Sequence, residues 1–164
     1  MFAMGSAGSS MVGQRLGAGK MDEARDEDRK LIFLTEVIHV IIGLGMVLAS
    51  PLIPRLYNVG PEVQDLTQRM LIIAGCALPI HSFAHVTYFT IRSGGRTVIT
   101  FFFDAVYTWC VTVLLAFFLT RYTDWSIIRI YFCVQFIDIV KVVIGLLMLR
   151  SDFWARNVVN DAES

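Results

Sequence analysis

The chain is 164 residues long, 55% apolar and 17% charged, whereas an ordinary soluble domain runs about 45–50% apolar and about 25% charged. Lysine plus arginine equals aspartate plus glutamate at 14 each, so the net charge is zero; this excludes a basic nucleic-acid binder and an acidic disordered tail. With a mean hydropathy of +0.62, a membrane chain of this length has room for roughly four to six spans of about 20 residues, not for ten or twelve.

In chain order, residues 1–14 come first. They are apolar but rich in small residues, and at 1.5 Å per residue they reach only about 20 Å, too little to cross a bilayer. They lack the basic start and leucine-rich core of a signal peptide. Gly5, Ser9, Gly13 and Gly17 stand four residues apart, a ridge of small residues that lets membrane helices touch closely. The stretch reads as the end of a span whose beginning is missing. Residues 15–30 form a charged connector that opens on a glycine turn, Gly17 to Gly19.

Four apolar runs follow, at 31–53, 71–91, 97–120 and 127–149. Each is long enough to cross a hydrocarbon core of about 30 Å as a helix. The expected fold is therefore all-α: a polytopic integral membrane bundle of four full spans and a partial N-terminal one, in contact with the lipid bilayer. Pro51, Pro54, Gly60 and Pro61 end the first span and turn the chain. RSGGRT at 92–97 and the segment 121–125 make the next two connections. Residues 150–164 form a tail.

Basic residues set the orientation. Arg15, Lys20, Arg25, Arg29, Lys30, Arg92, Arg96, Arg150 and Arg156 fall on one side, and Arg55, Arg69, Arg121 and Arg129 on the other. The connector, the RSGGRT turn and the C-terminus are thus expected in the cytoplasm of a multi-pass cell-membrane protein, with Trp125 and Trp154 just outside the spans.

A charged group at the bilayer centre costs about 2.5–3.5 kcal/mol on insertion scales, so each polar group inside a span needs a reason. On a helical wheel Glu36 and His39 share a face of the first span. Glu36 lies near the inner interface and reads as a snorkelled or capped carboxylate, or as part of a cavity. His81 and His85 share a face of the second span, just after Pro79, which is expected to bend that helix. They read as an interhelical hydrogen-bonding pair or as a titrating pair lining a cavity; no third metal ligand accompanies them. Asp104 in the third span has no basic residue within a helical turn. It is therefore protonated, paired with another helix (Lys141 is the natural candidate), or facing water. In the fourth span Asp138 and Lys141 are three apart and can pair along the helix, either to fix packing or to line a cavity and exchange partners when a cation or proton arrives. Cys76, Cys110 and Cys133 sit singly in apolar runs, with no zinc or disulfide spacing. No cofactor is expected. An enzyme is not expected either, because HExxH, a serine–histidine pair near an oxyanion loop and a paired-aspartate motif are all lacking.

The strongest local motif is GSSMVGQRLGAGKMDEAR at 8–25, in which Gly13, Gln14, Gly17 and Gly19 stand at a small-residue helix end and the turn after it. It resembles the VGQ-x-LGAG-type motif of the multidrug and toxic compound extrusion (MATE) family. PLIPRLYNVGPEV in the first outer loop, IRSGGRT at the inner turn and WARNVV after the last span continue the resemblance in the same order. The resemblance implies two six-helix lobes in the family. Residues 1–14 then correspond to the end of helix eight and 31–149 to helices nine to twelve, with the N-terminal lobe supplied elsewhere or replaced by a second copy. It also implies secondary antiport of drugs, organic cations, aromatic compounds or metabolites against protons or sodium. The family's acids in helices one and seven have no counterpart here, and helix ten carries His81 and His85 in place of an acid. The alternatives are a freestanding half-transporter acting as a homodimer, and a non-transporting membrane fragment or accessory subunit.

Overall fold

The computed structural model describes residues 2–93 and 97–150. The expected tail beyond Arg150, with its WARNVV segment, and the glycines of the RSGGRT turn lie outside the described residues. Among the described residues there are helices and turns and no strand.

The first helix, α1, runs Phe2–Gly17. It stops because Gly19 adopts φ 74°, a left-handed conformation that costs glycine nothing. Gly19 N–H then donates to Leu16 O at 3.1 Å and Lys20 N–H to Arg15 O at 3.0 Å, the paired bonds of a Schellman cap. The chain restarts at once as α2, Met21–Ala49. The charged connector is thus mostly helical, the opening turns of the same helix that forms the first span. The lengths explain this: 29 residues rise about 44 Å, well beyond a hydrocarbon core of about 30 Å. The charged end stands outside the bilayer, with Asp22 and Glu23 in the first turn, where the helix dipole favours acids. Arg15 of α1 reaches across the cap to Glu23 at 2.6 Å and to Glu27 at 2.9 Å.

A short 3-10 turn, Ile53–Leu56, holds buried Pro54 and leads to α3, Pro61–Ser93. This helix passes through Pro79 without interruption. It lies at the centre, touching α1, α2 and every later span. Its buried positions are mostly small: Gly75, Ala77, Ser82, Ala84, Thr87 and Thr90. Membrane helices pack through such residues because lipid offers leucine no reason to leave it. Gly75 meets the backbone of Gly43 on α2, and Thr87 lies against Gly145 of the last helix.

The third span opens as α4, Thr97–Phe101, continues through two π-helical stretches, Phe102–Val106 and Thr108–Val113, and ends as α5, Leu114–Tyr122. No described residue from Asp104 to Tyr122 is buried. The fourth span is two helices, α6 (Ile127–Phe136) and α7 (Ile139–Arg150), separated by a break at Ile137 and Asp138. Among the described residues, four helices are long and apolar enough to cross a membrane: Met21–Ala49, Pro61–Ser93, Asp104–Tyr122 and Ile127–Arg150. The large apolar side chains on their outer faces, Phe33, Leu48, Phe101, Trp109 and Leu147 among them, are exposed and meet lipid.

Val12, Leu16, Ala24 and Ile91 form a buried cluster with Met148 and Leu149 beside it. It joins the end of α1, the start of α2, the end of α3 and the end of α7 at one extremity of the bundle.

Candidate functional site

Three spans converge on one pocket. His81, His85 and Tyr88 reach it from α3, Asp104 from the first π-helical stretch, and Asp138 and Lys141 from the break and start of α7. The pocket is a cleft open at its mouth, and its empty space of about 260 Å³ includes that open part. Local backbone irregularity positions two of its three charges. Wide π-helical turns surround Asp104, and such turns are frequent at functional positions of membrane and soluble helices. Asp138 sits where the fourth span is broken, and the break has its own support. Ile137 O accepts an N–H from Val140 at 3.0 Å and the Tyr107 hydroxyl at 2.8 Å. The third span thereby satisfies a carbonyl that the fourth has tilted out, as non-helical backbone at membrane depth requires.

Lys141 is the hub of the charges. Its Nζ lies 3.4 Å from Asp104 Oδ1, 3.3 Å from Thr108 Oγ1 and 3.9 Å from Asp138 Oδ2. It also stands 4.9 Å from the centroid of the Tyr107 ring, within range of a cation–π attraction. The lysine side chain is 7% exposed, Asp138 14% and Asp104 53%, so Asp104 marks the mouth and the other two the floor. Asp138 Oδ2 also meets His81 Nδ1 at 3.2 Å. Its second oxygen, Oδ1, is buried with no hydrogen-bond partner.

Of the candidates read from the sequence, the structure brings together His81, His85, Asp104, Asp138 and Lys141. It does not bring Glu36 with them. Glu36 lies beside Ser82 of α3 and does not line the pocket, and its Oε1 is buried without a hydrogen-bond partner. His39, on the same face of α2, bonds within its own helix to Thr35 O at 2.7 Å. Asp138 and Lys141 do lie near each other along the helix, yet both have closer partners on other spans. Gly13, Gln14, Gly17 and Gly19 belong to the extremity where ends of α1, α2, α3 and α7 come together, and not to the pocket. Gly13 packs near Ser93 O, Gln14 O accepts Ala18 N–H, and Gly19 makes the cap.

One buried carboxylate escaped the sequence reading. Asp28, in the charged connector, is buried at 5% exposure and accepts the Thr90 hydroxyl at 2.6 Å. Its signal was present as spacing: Ala24, Asp28, Thr35, His39 and Gly43 are the buried residues of α2, and steps of four and seven keep them on one helical face.

No curated protein and no solved structure matches the chain. The MatE family matches residues 1–118, which takes in the glycine-capped motif, the first two spans and most of the third. An all-α bundle with four membrane-crossing helices and charges gathered at its centre agrees with that match, and the chain belongs to the MatE family of membrane transporters.

Proposed function

We propose that the chain forms the C-terminal-lobe part of a MATE-type secondary antiporter, exporting drugs, organic cations, aromatic compounds or metabolites in exchange for protons or sodium, with its C-terminus on the cytoplasmic side of the cell membrane. The lobe's cation-handling site is the pocket between α3, the third span and α7. The carrying observation is the convergence there of Asp104, Asp138 and Lys141 from two spans with His81 from a third. Ionisable groups at this depth are costly, and a bundle retains them where ions or protons pass. Family membership supports transport in place of catalysis. The shared extremity of α1, α2, α3 and α7 supports one membrane face for the connector, the inner turn and the end of α7. The many basic residues there support the cytoplasm as that face.

The test uses inside-out membrane vesicles from cells producing the chain alone or together with a MATE-type N-terminal lobe, with ethidium uptake driven by an imposed proton or sodium gradient. The chain alone is expected not to transport; with the N-terminal lobe, uptake above that of control vesicles is expected, and Asp138→Asn is expected to lower it at least tenfold. Uptake by the chain alone favours a homodimeric half-transporter instead, and uptake equal to the control with both lobes present, or native uptake by Asp138→Asn, overturns the reading.

A further inference from the structure

The pocket is one positive charge short, and its only ammonium is loosely held. Asp104 and Asp138 bring two carboxylates to the pocket and Lys141 one ammonium, so on formal charge, with imidazoles counted as uncharged, the cluster is one positive charge short. A half-buried site in the membrane favours neutrality, so the cluster has capacity for one more monovalent cation. The hydrogen bonding gives the same result independently, because Asp138 Oδ1 is buried with no donor facing it.

The distances show how the vacancy is distributed. A charge-assisted N–H···O bond is ordinarily about 2.7–2.9 Å, whereas the Lys141 ammonium stands at 3.4 Å from Asp104, 3.3 Å from Thr108 and 3.9 Å from Asp138. It is shared between two carboxylates and closely bound to neither. Beneath it is the Tyr107 ring, and toward the mouth is half-exposed Asp104. A carboxylate, a hydroxyl acceptor and an aromatic face around one point make a seat for an organic ammonium, and the lysine's own terminus occupies it.

We propose that Lys141 is a tethered occupant of a seat for one monovalent organic ammonium, formed by Asp104, Thr108 and Tyr107, and that an entering cation displaces Lys141 onto Asp138. In the displaced position the lysine supplies the donor that Asp138 Oδ1 lacks, and the cation takes over Asp104, Thr108 and the ring. The cluster is then neutral, and a second cation is refused. This deepens the antiport reading and rests on it for its physiological meaning, but seat and displacement are properties of binding and are measured without a gradient.

The experiment titrates benzylammonium at fixed pH into the purified protein in lipid nanodiscs, followed by calorimetry. Native protein is expected to bind one equivalent. Lys141→Met removes the tethered competitor and leaves two uncompensated carboxylates, so it is expected to bind the first equivalent at least tenfold more tightly and to accept a second. Lys141→Arg keeps a competing charge and is expected to bind the first equivalent more weakly than Lys141→Met and to accept no second. Asp104→Asn is expected to abolish saturable binding in either background. A Lys141→Met protein that binds no tighter than native, or a native-like Asp104→Asn protein, overturns the proposal. If Lys141→Met does not fold, the native stoichiometry and the Asp104→Asn loss decide it alone. Binding as described without gradient-driven uptake when both lobes are present removes the antiport reading and leaves the seat; uptake with unchanged binding in these variants removes the seat.

Discussion

Gly43 of α2 and Gly75 of α3 meet backbone to backbone. A Cβ added to Gly43 would come within 2.5 Å of Gly75 O, and one added to Gly75 within 2.8 Å of Gly43 O and of Val47 Cγ2. Real side chains do not approach carbonyl oxygens so closely, and neither obstacle at Gly43 is a flexible side-chain end. The two spans must therefore separate to admit even a methyl. Overpacking of this kind typically costs about 1–3 kcal/mol. Gly43→Ala is expected to lower the thermal unfolding midpoint of the detergent-solubilised protein by several degrees. Gly45, two residues on, has nothing within 4 Å, so Gly45→Ala is the control and is expected to be neutral or slightly stabilising. Equal midpoints for the two variants would contradict the close crossing.

Tyr107 ties the third span to the break in the fourth through its hydroxyl, and supports Lys141 through its ring. Tyr107→Phe separates the two roles. The ring remains, so ammonium binding is expected to change little. The hydroxyl is lost, which leaves one lone pair of Ile137 O without its partner and costs about 1 kcal/mol. Hydrogen–deuterium exchange should rise at Val140 and its neighbours while the turns of α2 and α3 keep their protection. Uniform exchange across the chain would show that the bond does not hold the break.

Burial separates Asp28 from its neighbours in the same charged stretch. Asp26 is exposed and pairs with Lys30 at 2.9 Å, where solvent screens the pair and leaves it little effect on stability. Asp28 is buried with the Thr90 hydroxyl on it. Thr90→Val removes that donor from a buried carboxylate and is expected to destabilise by about 1–3 kcal/mol. Asp26→Ala, at an exposed site, is expected to leave stability essentially unchanged. In a double-mutant cycle, Asp28→Asn should remove most of the Thr90→Val penalty, since the acceptor is then uncharged. Additive losses in that cycle would mean the two side chains do not act on each other.

The spans were legible because hydropathy accumulates over 20 or more residues, and no single side chain decides it. The cap after α1 was legible because a GAG sequence between two helical patterns leaves little but a glycine turn. Asp104 and Lys141 could be paired on paper because each is expensive alone in a membrane. The partner of Asp138 could not. Periodicity places residues on one helix relative to each other, but the rotation of α3 against α7, which sets His81 against Asp138, comes from packing of Thr87 on Gly145. The same limit applies to Glu36, whose wheel position allowed a cavity and whose neighbour is Ser82. The break at Ile137 has no proline or glycine to announce it; its support comes from Tyr107, thirty residues earlier. Asp28 was hidden by composition, since a run of mixed charge reads as solvated until its spacing is continued into the apolar helix behind it.

The two π-helical stretches of the third span bear on its tolerance to sequence change. In a regular helix each residue turns the chain by about 100°, so deleting one residue rotates everything beyond it off its face. A π-turn behaves as an α-helix carrying one residue too many. Removing a residue within Thr108–Val113 lets that stretch tighten to α geometry, while α4 and α5 keep their faces toward α3 and toward lipid. The third span thus carries a stored insertion beside the pocket, and chain length there can vary where in the regular α2 and α3 it cannot.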